Sequence, residues 1–404
     1  SGRSAPSAAA ERAASTPTHP PLKMLSGLFG KKKKTPEQLV AIIRESLAAF
    51  DPASESKDAE KVTATLAERL AEVKIYLYGE LDKDSAPVPA TCAELARAFC
   101  ADELIMELIR RLGELPFEAR KDVSQIVVNF THHNHGNFAR GWLVEHPEII
   151  GLLVEGYANP QVALNVGAML REALERAPEL TKWLLNSEHM KTLFTNYTHV
   201  PNFEVASDAF ATMKAALTQH KAIVVEYLDT KFDEVFGLYQ GLLTSDNYVT
   251  RRQSLKLLSE LLLDRENFKV MMRYISDRNN LKLVMMLLRD KRTNIQFEAF
   301  HVFKVFVANP QKPASITAIL VQNRDKLIEY LRKFHNDKDD RQFTEEKALL
   351  IQTLQSMKMP PEEEAKYAAR AAEQKARDDA AAAVAGDDAG AVAGAGGDEG
   401  GDSG

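Results

Sequence analysis

The sequence predicts an all-α fold, a curved solenoid of helical repeats, on three observations. A helical segment returns about every 42–45 residues. Phe117-Glu-Ala-Arg-Lys-Asp-Val-Ser, Gln161-Val-Ala-Leu-Asn-Val-Gly-Ala, Phe203-Glu-Val-Ala-Ser-Asp-Ala-Phe, Tyr248-Val-Thr-Arg-Arg-Gln-Ser-Leu and Thr293-Asn-Ile-Gln-Phe-Glu-Ala-Phe can be overlaid, with starts 44, 42, 45 and 45 residues apart. That is the period of two- or three-helix armadillo and HEAT units. From Thr91 to about His335 the text also reads helix, short turn, helix. Finally, no period-2 run is flanked by hairpin turns, so strands are not expected. A solenoid presents a surface rather than a pocket, and the period therefore points to binding before chemistry.

In chain order, residues 1–34 read as a disordered basic extension, with seven Lys/Arg (Lys31 to Lys34 among them) against Glu11 alone. Thr35-Pro36-Glu37-Gln38 opens the first helix: Thr as N-cap, Pro in the first turn, Gln completing a capping box. Leu39, Ile42, Ile43, Leu47 and Phe50 follow at helical spacing. A long helix is expected over Lys61–Tyr78, its apolar side built from Leu66, Leu70, Val73, Ile75 and Leu77; charge and Pro break it at Asp82–Val88. Later turns are expected at Gly113–Pro116, Asn159-Pro160, Val200–Asn202, Thr244–Asn247, Asp277–Asn280 and Asn309-Pro310. The repeat domain spans 35–358. After Met359-Pro360-Pro361 a short solvated helix is expected over Glu362–Arg377. The rest of 359–404 is an acidic Ala/Gly-rich tail, too poor in apolar residues to offset the entropy of ordering it.

Composition narrows the function. The 404 residues are 45% apolar and 27% charged, enough for a continuous core. The net charge of −6 is uneven, because 361–404 carries eleven Asp/Glu against four Lys/Arg. The body is mildly acidic, a poor match for phosphate-driven nucleic-acid binding. Cys92 and Cys100 fit neither a disulfide framework nor a zinc spacing and point to a reducing compartment. No run of about 18 apolar residues suggests a membrane span. Residues 1–23 lack the apolar core of a secretory signal. Their Ser/Ala/Pro/Arg content weakly resembles a transit peptide, but a disordered extension or an extended start is the simpler reading, with Met24 as an alternative start.

Candidate chemistry is sparse. Gly27-Leu-Phe-Gly30-Lys31 lacks the spacing of a phosphate loop and the strand that precedes one. His132-His133-Asn134-His135 ends a helix, where the dipole favours His, and has no further ligands nearby for a metal. Asp337–Asp340 and Asp387-Asp388 lack the EF-hand spacing. No nucleophile stands beside a base. We expect neither an enzyme nor a cofactor or metal. What remains is aromatic and basic residues at repeat starts. Phe203 and Tyr248 open consecutive repeats. Tyr248 and Arg252 border a stripe of Val249, Leu255, Leu257, Leu258, Leu261 and Leu262. Plain packing, with Tyr248 covering the core and Arg252 snorkelling, is the ordinary explanation; a Tyr/Arg binding patch is the functional one. Met285 and Met286 pose the same choice.

Asn247–Arg265, Asn280–Asp290 and Asn294–Pro310 closely resemble the calcium-binding protein 39 scaffold family. Lys121-Asp-Val, Ala163-Leu-Asn, Met169–Glu172, Ala206–Ala211 and the start Phe29–Pro36 resemble it as well. The likeness covers about residues 28–358. It implies an armadillo-like, non-catalytic, cytoplasmic scaffold, monomeric, that binds a pseudokinase or Sterile-20-type protein kinase on its concave face. It implies activation of a serine/threonine kinase in energy and polarity signalling, and a pocket for a Trp-Glu-Phe-type tail. Phe203, Tyr248 and Arg252 match the concave-face contacts; Arg265 and Phe268 match further partner contacts; Lys282 and Met285 match the tail pocket. Phe203, Tyr248 and Arg252, with Met285 just beyond them, suggest a single kinase-facing wall. Thr131–Gly141 departs from the family's more basic segment, and no calcium loop is present despite the family's name. The rival reading is a transport or assembly adaptor for basic peptides; Trp142 and Trp183, the two tryptophans, form no ladder to support it.

Overall fold

The computed structural model describes residues 34–79 and 86–366, with 368, 369, 372 and 377. The extension before Lys34 and nearly all of the chain beyond Lys366 lie outside the described residues, as do the disordered extension and tail expected there; the segment expected to be helical over Glu362–Arg377 is helical wherever it is described, from residue 361 on.

The described chain is all helix and turn. It opens with a pair, α1 (Pro36–Ala49) and α2 (Lys57–Tyr78). Triplets follow. The first three are α3 (Pro89–Cys100), α4 (Leu104–Arg110) and α5 (Phe117–His133); α6 (Trp142–Glu145), α7 (Glu148–Glu155) and α8 (Ala163–Arg176); α9 (Pro178–Leu185), α10 (Glu188–Thr195) and α11 (Phe203–Thr218). The last three are α12 (Lys221–Thr230), α13 (Phe232–Leu243) and α14 (Tyr248–Leu263); α15 (Phe268–Ser276), α16 (Arg278–Leu287) and α17 (Thr293–Ala308); α18 (Ala314–Gln322), α19 (Arg324–Lys333) and α20 (Arg341–Ser356). The unit is therefore the three-helix version of the repeat. The five overlaid segments mark the starts of the third helices α5, α8, α11, α14 and α17.

Third helices stack in one row, α2–α5–α8–α11–α14–α17–α20. Middle helices α4, α7, α10 and α13 form a second row, and first helices α6, α9, α12 and α15 a third. Most neighbouring third helices meet more extensively than neighbours in the other rows, although α10 and α13 meet at least as extensively as α11 and α14. The row of third helices forms one face of the stack, termed here the inner face. A single core threads all the repeats and includes the fully buried Phe99, Phe130, Phe194, Phe300, Phe303 and Phe306.

Each neighbouring pair in the third-helix row is also tied by a polar bridge. Lys74 reaches Asp122 (α2 to α5), and His132 Nδ1 lies 2.9 Å from Glu172 (α5 to α8). Arg171 binds Asp208 (α8 to α11), Lys214 lies 2.6 Å from Glu260 (α11 to α14), Arg252 lies 3.4 Å from Glu298 (α14 to α17) and Lys304 lies 2.6 Å from Glu346 (α17 to α20). Surface ion pairs contribute only ~0–1 kcal/mol each, and of these six only Lys214–Glu260 is exposed on both sides. Buried apolar area holds the stack, and the bridges favour this alignment of neighbours.

Helix starts follow the sequence closely. Gln38 N–H donates to Thr35 Oγ1 at 3.4 Å and Thr35 N–H to Gln38 Oε1 at 3.1 Å, closing the expected capping box. Four local expectations are corrected. α2 begins at Lys57 rather than Lys61, because Ser56 Oγ accepts from Ala59 N–H at 3.1 Å. The turn expected over Asp277–Asn280 is mostly helix: Asp277 caps α16, accepting from Asn279 N–H at 2.8 Å. α8 starts at Ala163, two residues into its overlaid segment, since Asn159 Oδ1 takes the Gln161 N–H at 3.0 Å and holds a turn there. On α14, Thr250 is buried while Val249 is half-exposed. The Thr250 hydroxyl donates to the Thr198 carbonyl at 2.7 Å, so a polar residue enters the core with its hydrogen bond satisfied. The Asp337–Asp340 cluster has a structural use, as Asp340 Oδ1 caps α20 by accepting from Phe343 N–H at 3.0 Å.

Candidate functional site

The α11–α14 pair carries the inner-face candidates. Asn202 Oδ1 accepts from the N–H groups of Glu204 and Val205 at 3.0 and 3.2 Å. Asn247 Oδ1 does the same for Val249 and Thr250 at 3.0 and 3.3 Å. An Asn cap of this kind satisfies orphan first-turn donors. It also makes the next residue the first helical one. Phe203 and Tyr248 are those residues, so they leave corresponding ends of adjacent helices.

Phe203 is 59% exposed, a large apolar area to leave in water. Tyr248 is half-buried against the core. Its hydroxyl accepts from Asn294 Nδ2 at 2.9 Å, and the Arg292 guanidinium lies 5.3 Å from its ring centroid, a cation–π distance. Both Arg292 and Asn294 belong to the start of α17. Arg252, one turn further along α14, is exposed but bonded, its Nε donating to Glu298 Oε1 at 3.4 Å. Packing and exposure thus coexist: Tyr248 is braced from α17, and Arg252 is held over the surface by a carboxylate. The adjacent Arg251 turns away. It donates to Asp290 at 2.9 Å and to the Ser245 carbonyl at 2.9 Å, pinning the α16–α17 turn.

Between α11 and α14, behind these two aromatics, is a cleft of about 20 Å³ lined by Ala206, Ser207, Phe210, Thr250 and Gln253 among others. That is room for about one water. Among the described residues, the buried Ser207 hydroxyl has no hydrogen-bond partner. Two large apolar residues exposed in first turns of the third-helix row were missed from the sequence, Phe117 at 65% and Leu164 at 50%. They lie in the first turns of α5 and α8. The signal for Phe117 was present, since it heads the first overlaid segment as Phe203 heads the third; Leu164 shares no column with them.

Arg265 and Phe268 lie at the other edge. The 16 residues of α14 separate them from Tyr248, a rise of about 24 Å. Phe268 is 51% exposed at the start of α15. Beside it a cleft of about 200 Å³ is lined by Leu217, Lys221, Val224, Glu260 and Asp264 among others. Lys221 lies 2.8 Å from Asp264 and, with a backbone donor, holds that carboxyl below its ordinary pKa.

Lys282 and Met285 are on α16, a middle helix that packs on α15, α17 and α18. Lys282 is exposed, Met285 half-buried, and Met286 69% exposed. The single wall read from the sequence therefore divides, and the candidates occupy three places. Phe203, Tyr248 and Arg252 come together at one edge of the third-helix row. Arg265 and Phe268 occupy the opposite edge, and Lys282 and Met285 sit in the outer layers.

The histidines of the α5 end are engaged locally: Arg176 Nη2 lies 2.7 Å from His132 Nδ1, and His135 pairs with Asn129 Oδ1 at 3.1 Å. Burial and the neighbouring His133 lower the pKa of His135. Among the described residues no group of three or more His, Cys, Asp or Glu is placed to hold a metal. No described helix is long and apolar enough to cross a membrane.

The sequence model of the Mo25-like family matches residues 27–358. MO25-like protein 2 of Caenorhabditis elegans is 44% identical over 83% of this chain and 100% of its own length. Calcium-binding protein 39-like of Homo sapiens is 43% identical over 82% of this chain and 97% of its own. The Mo25-like protein of Schizosaccharomyces pombe is 40% identical over 82% of this chain and 100% of its own.

Proposed function

The chain belongs to the Mo25-like family, and on that premise we propose that it is a non-catalytic, cytoplasmic scaffold for a pseudokinase or Sterile-20-type protein kinase. The observation that carries this reading is the paired placement of Phe203 and Tyr248 by matching Asn caps, with Arg252 one turn away. Exposed aromatics and Arg on a preformed surface are the residue types that dominate interface energetics. The inner face receives the kinase-like domain there. Arg265 and Phe268 contact it at the far edge. Lys282 and Met285 take a Trp-Glu-Phe-type tail, Lys for a carboxylate and Met for the rings.

Activation works by differential binding. A helical stack with a continuous core changes shape little, so it favours whichever kinase conformation fits. Shifting a domain from mostly inactive to mostly active requires ~5.5 kcal/mol of preference for the active form. A second attachment through the tail raises the effective concentration of the first. The test is phosphotransfer by a purified Sterile-20-type kinase with and without the monomeric scaffold. Stimulation by the wild-type chain that is lost in Arg252→Ala supports the reading; no stimulation and no binding by the wild-type chain refutes it.

A further inference from the structure

After α20 the chain turns back toward α16. The Met357 carbonyl accepts from Nη1 of Arg324, the first residue of α19, at 3.3 Å. Residues 361–366 are helical. From that turn Glu363 Oε2 comes within 3.6 Å of Nη2 of Arg278, the first residue of α16. Lys366 Nζ lies 2.9 Å from the other oxygen, Oε1. The Glu363 side chain is only 13% exposed, whereas Glu362 and Glu364 on either side of it are exposed. This carboxylate is as covered as Asp208 and Glu298 in the bridges between third helices, and is lodged against the body of the protein.

Arg278 heads a stripe. Arg278, Lys282 and Met285 recur at spacings of four and three along one side of α16, Met286 is exposed beside them and Arg289 follows just past the helix end. Among the described residues no carboxylate pairs with Lys282 or Arg289, and Glu363 is the one that pairs with Arg278. The stripe is therefore basic and methionine-bearing, and the segment that comes back to it contains three consecutive glutamates.

We propose that residues 361–366 are the resident occupant of the Arg278 end of this stripe, so that an acidic, aromatic partner tail reaching Arg278 must displace the protein's own segment. The competition rests on the reading of Lys282 and Met285 as a tail site; the self-docking does not. Glu363 and an acidic partner tail cannot both pair with Arg278. A tethered segment acts at an effective concentration in the ~mM range, so even weak docking keeps the stripe occupied. The apparent tail affinity then falls by the fraction of molecules left open.

The test uses the full chain and its Glu363→Arg variant. Hydrogen exchange at the first-turn amides of α16 should quicken by about two- to fivefold, the range of one surface ion pair. The double variant Glu363→Arg/Arg278→Glu should restore it. A synthetic peptide ending in Trp-Glu-Phe should bind Glu363→Arg more tightly than wild type by a similar factor. Unchanged exchange in Glu363→Arg overturns the self-docking whatever the peptide does. Equal peptide affinity for both proteins, with faster exchange, overturns the competition. If the peptide binds neither protein, the tail-site reading fails, and the exchange result alone decides the self-docking.

Discussion

Arg171 on α8 grips both carboxylate oxygens of Asp208 on α11, Nη1 to Oδ2 at 2.8 Å and Nη2 to Oδ1 at 2.9 Å. Tyr157 donates its hydroxyl proton to the same Oδ2 at 2.7 Å, and burial pushes the pKa of that phenol up. Thr212 Oγ1 closes the group, 2.7 Å from the Tyr157 hydroxyl. A bidentate guanidinium–carboxylate pair fixes direction as well as distance, so it locks one repeat to the next across α8 and α11.

This cluster has no room for a methyl group on α8. A Cβ at Gly167 would stand 1.7 Å from Asp208 Oδ2 and 2.6 Å from the Tyr157 hydroxyl. Gly167→Ala must therefore displace Asp208 and disturb its bonds. We expect a loss of about 1–3 kcal/mol, the usual cost of overpacking, read as a lower urea midpoint. A midpoint equal to wild type would show that the α8–α11 contact gives way without cost.

The two matching caps should behave alike. Asn247→Ala and Asn202→Ala each remove an acceptor for two first-turn N–H groups. Each should cost about 1 kcal/mol and speed exchange at the first turn of α14 or α11 while leaving the other helix unchanged. Because the caps orient Tyr248 and Phe203, both variants should also bind a kinase partner less well.

Tyr248→Ala and Arg252→Ala should separate packing from binding. Tyr248 is half-buried and Arg252 is held by Glu298, so each truncation should change stability by no more than about 1 kcal/mol if binding is its main role. Loss of kinase affinity should be larger, about 1–3 kcal/mol as for interface hot spots, by calorimetric titration. Met285→Ala, on a different layer, should weaken a Trp-Glu-Phe peptide and spare binding of the kinase domain. Equal losses in both assays for all three variants would indicate misfolding and remove the site assignment.

Cys100 supplies a pH signature. Burial pushes its thiol up to about 12, from an ordinary value of 9.0. Between those values the unfolded chain gives up a proton that the folded chain keeps. By linkage this contribution to stability is complete below pH 9 and is lost as pH rises toward 12. The thiol should resist iodoacetamide at pH 8 in the native protein and react on unfolding. Cys100→Ala should flatten part of the alkaline fall in stability between pH 9 and 12; an identical alkaline profile would show that the thiol titrates normally.

Much of this molecule was legible in the sequence, because its signals are local. A capping box, Pro at helix starts and apolar periodicity act within a few residues, and Thr35, Pro36 and Gln38 do in the structure what their spacing predicts. The repeat also marked Phe203 and Tyr248 as equivalents. The sequence alone thus determined an all-helical repeat protein and its family. What it could not determine was adjacency. Arg251 and Arg252 are neighbours of the same type, yet one pins a turn through Asp290 and the other meets Glu298 on the third-helix face. Arg265 and Lys282 follow Tyr248 closely in the chain but stand at another edge and in another layer. Only the tertiary structure decided this, because the path of α14 and the antiparallel return of each triplet set which helix ends meet, and those contacts join residues about 40 or more apart in the chain.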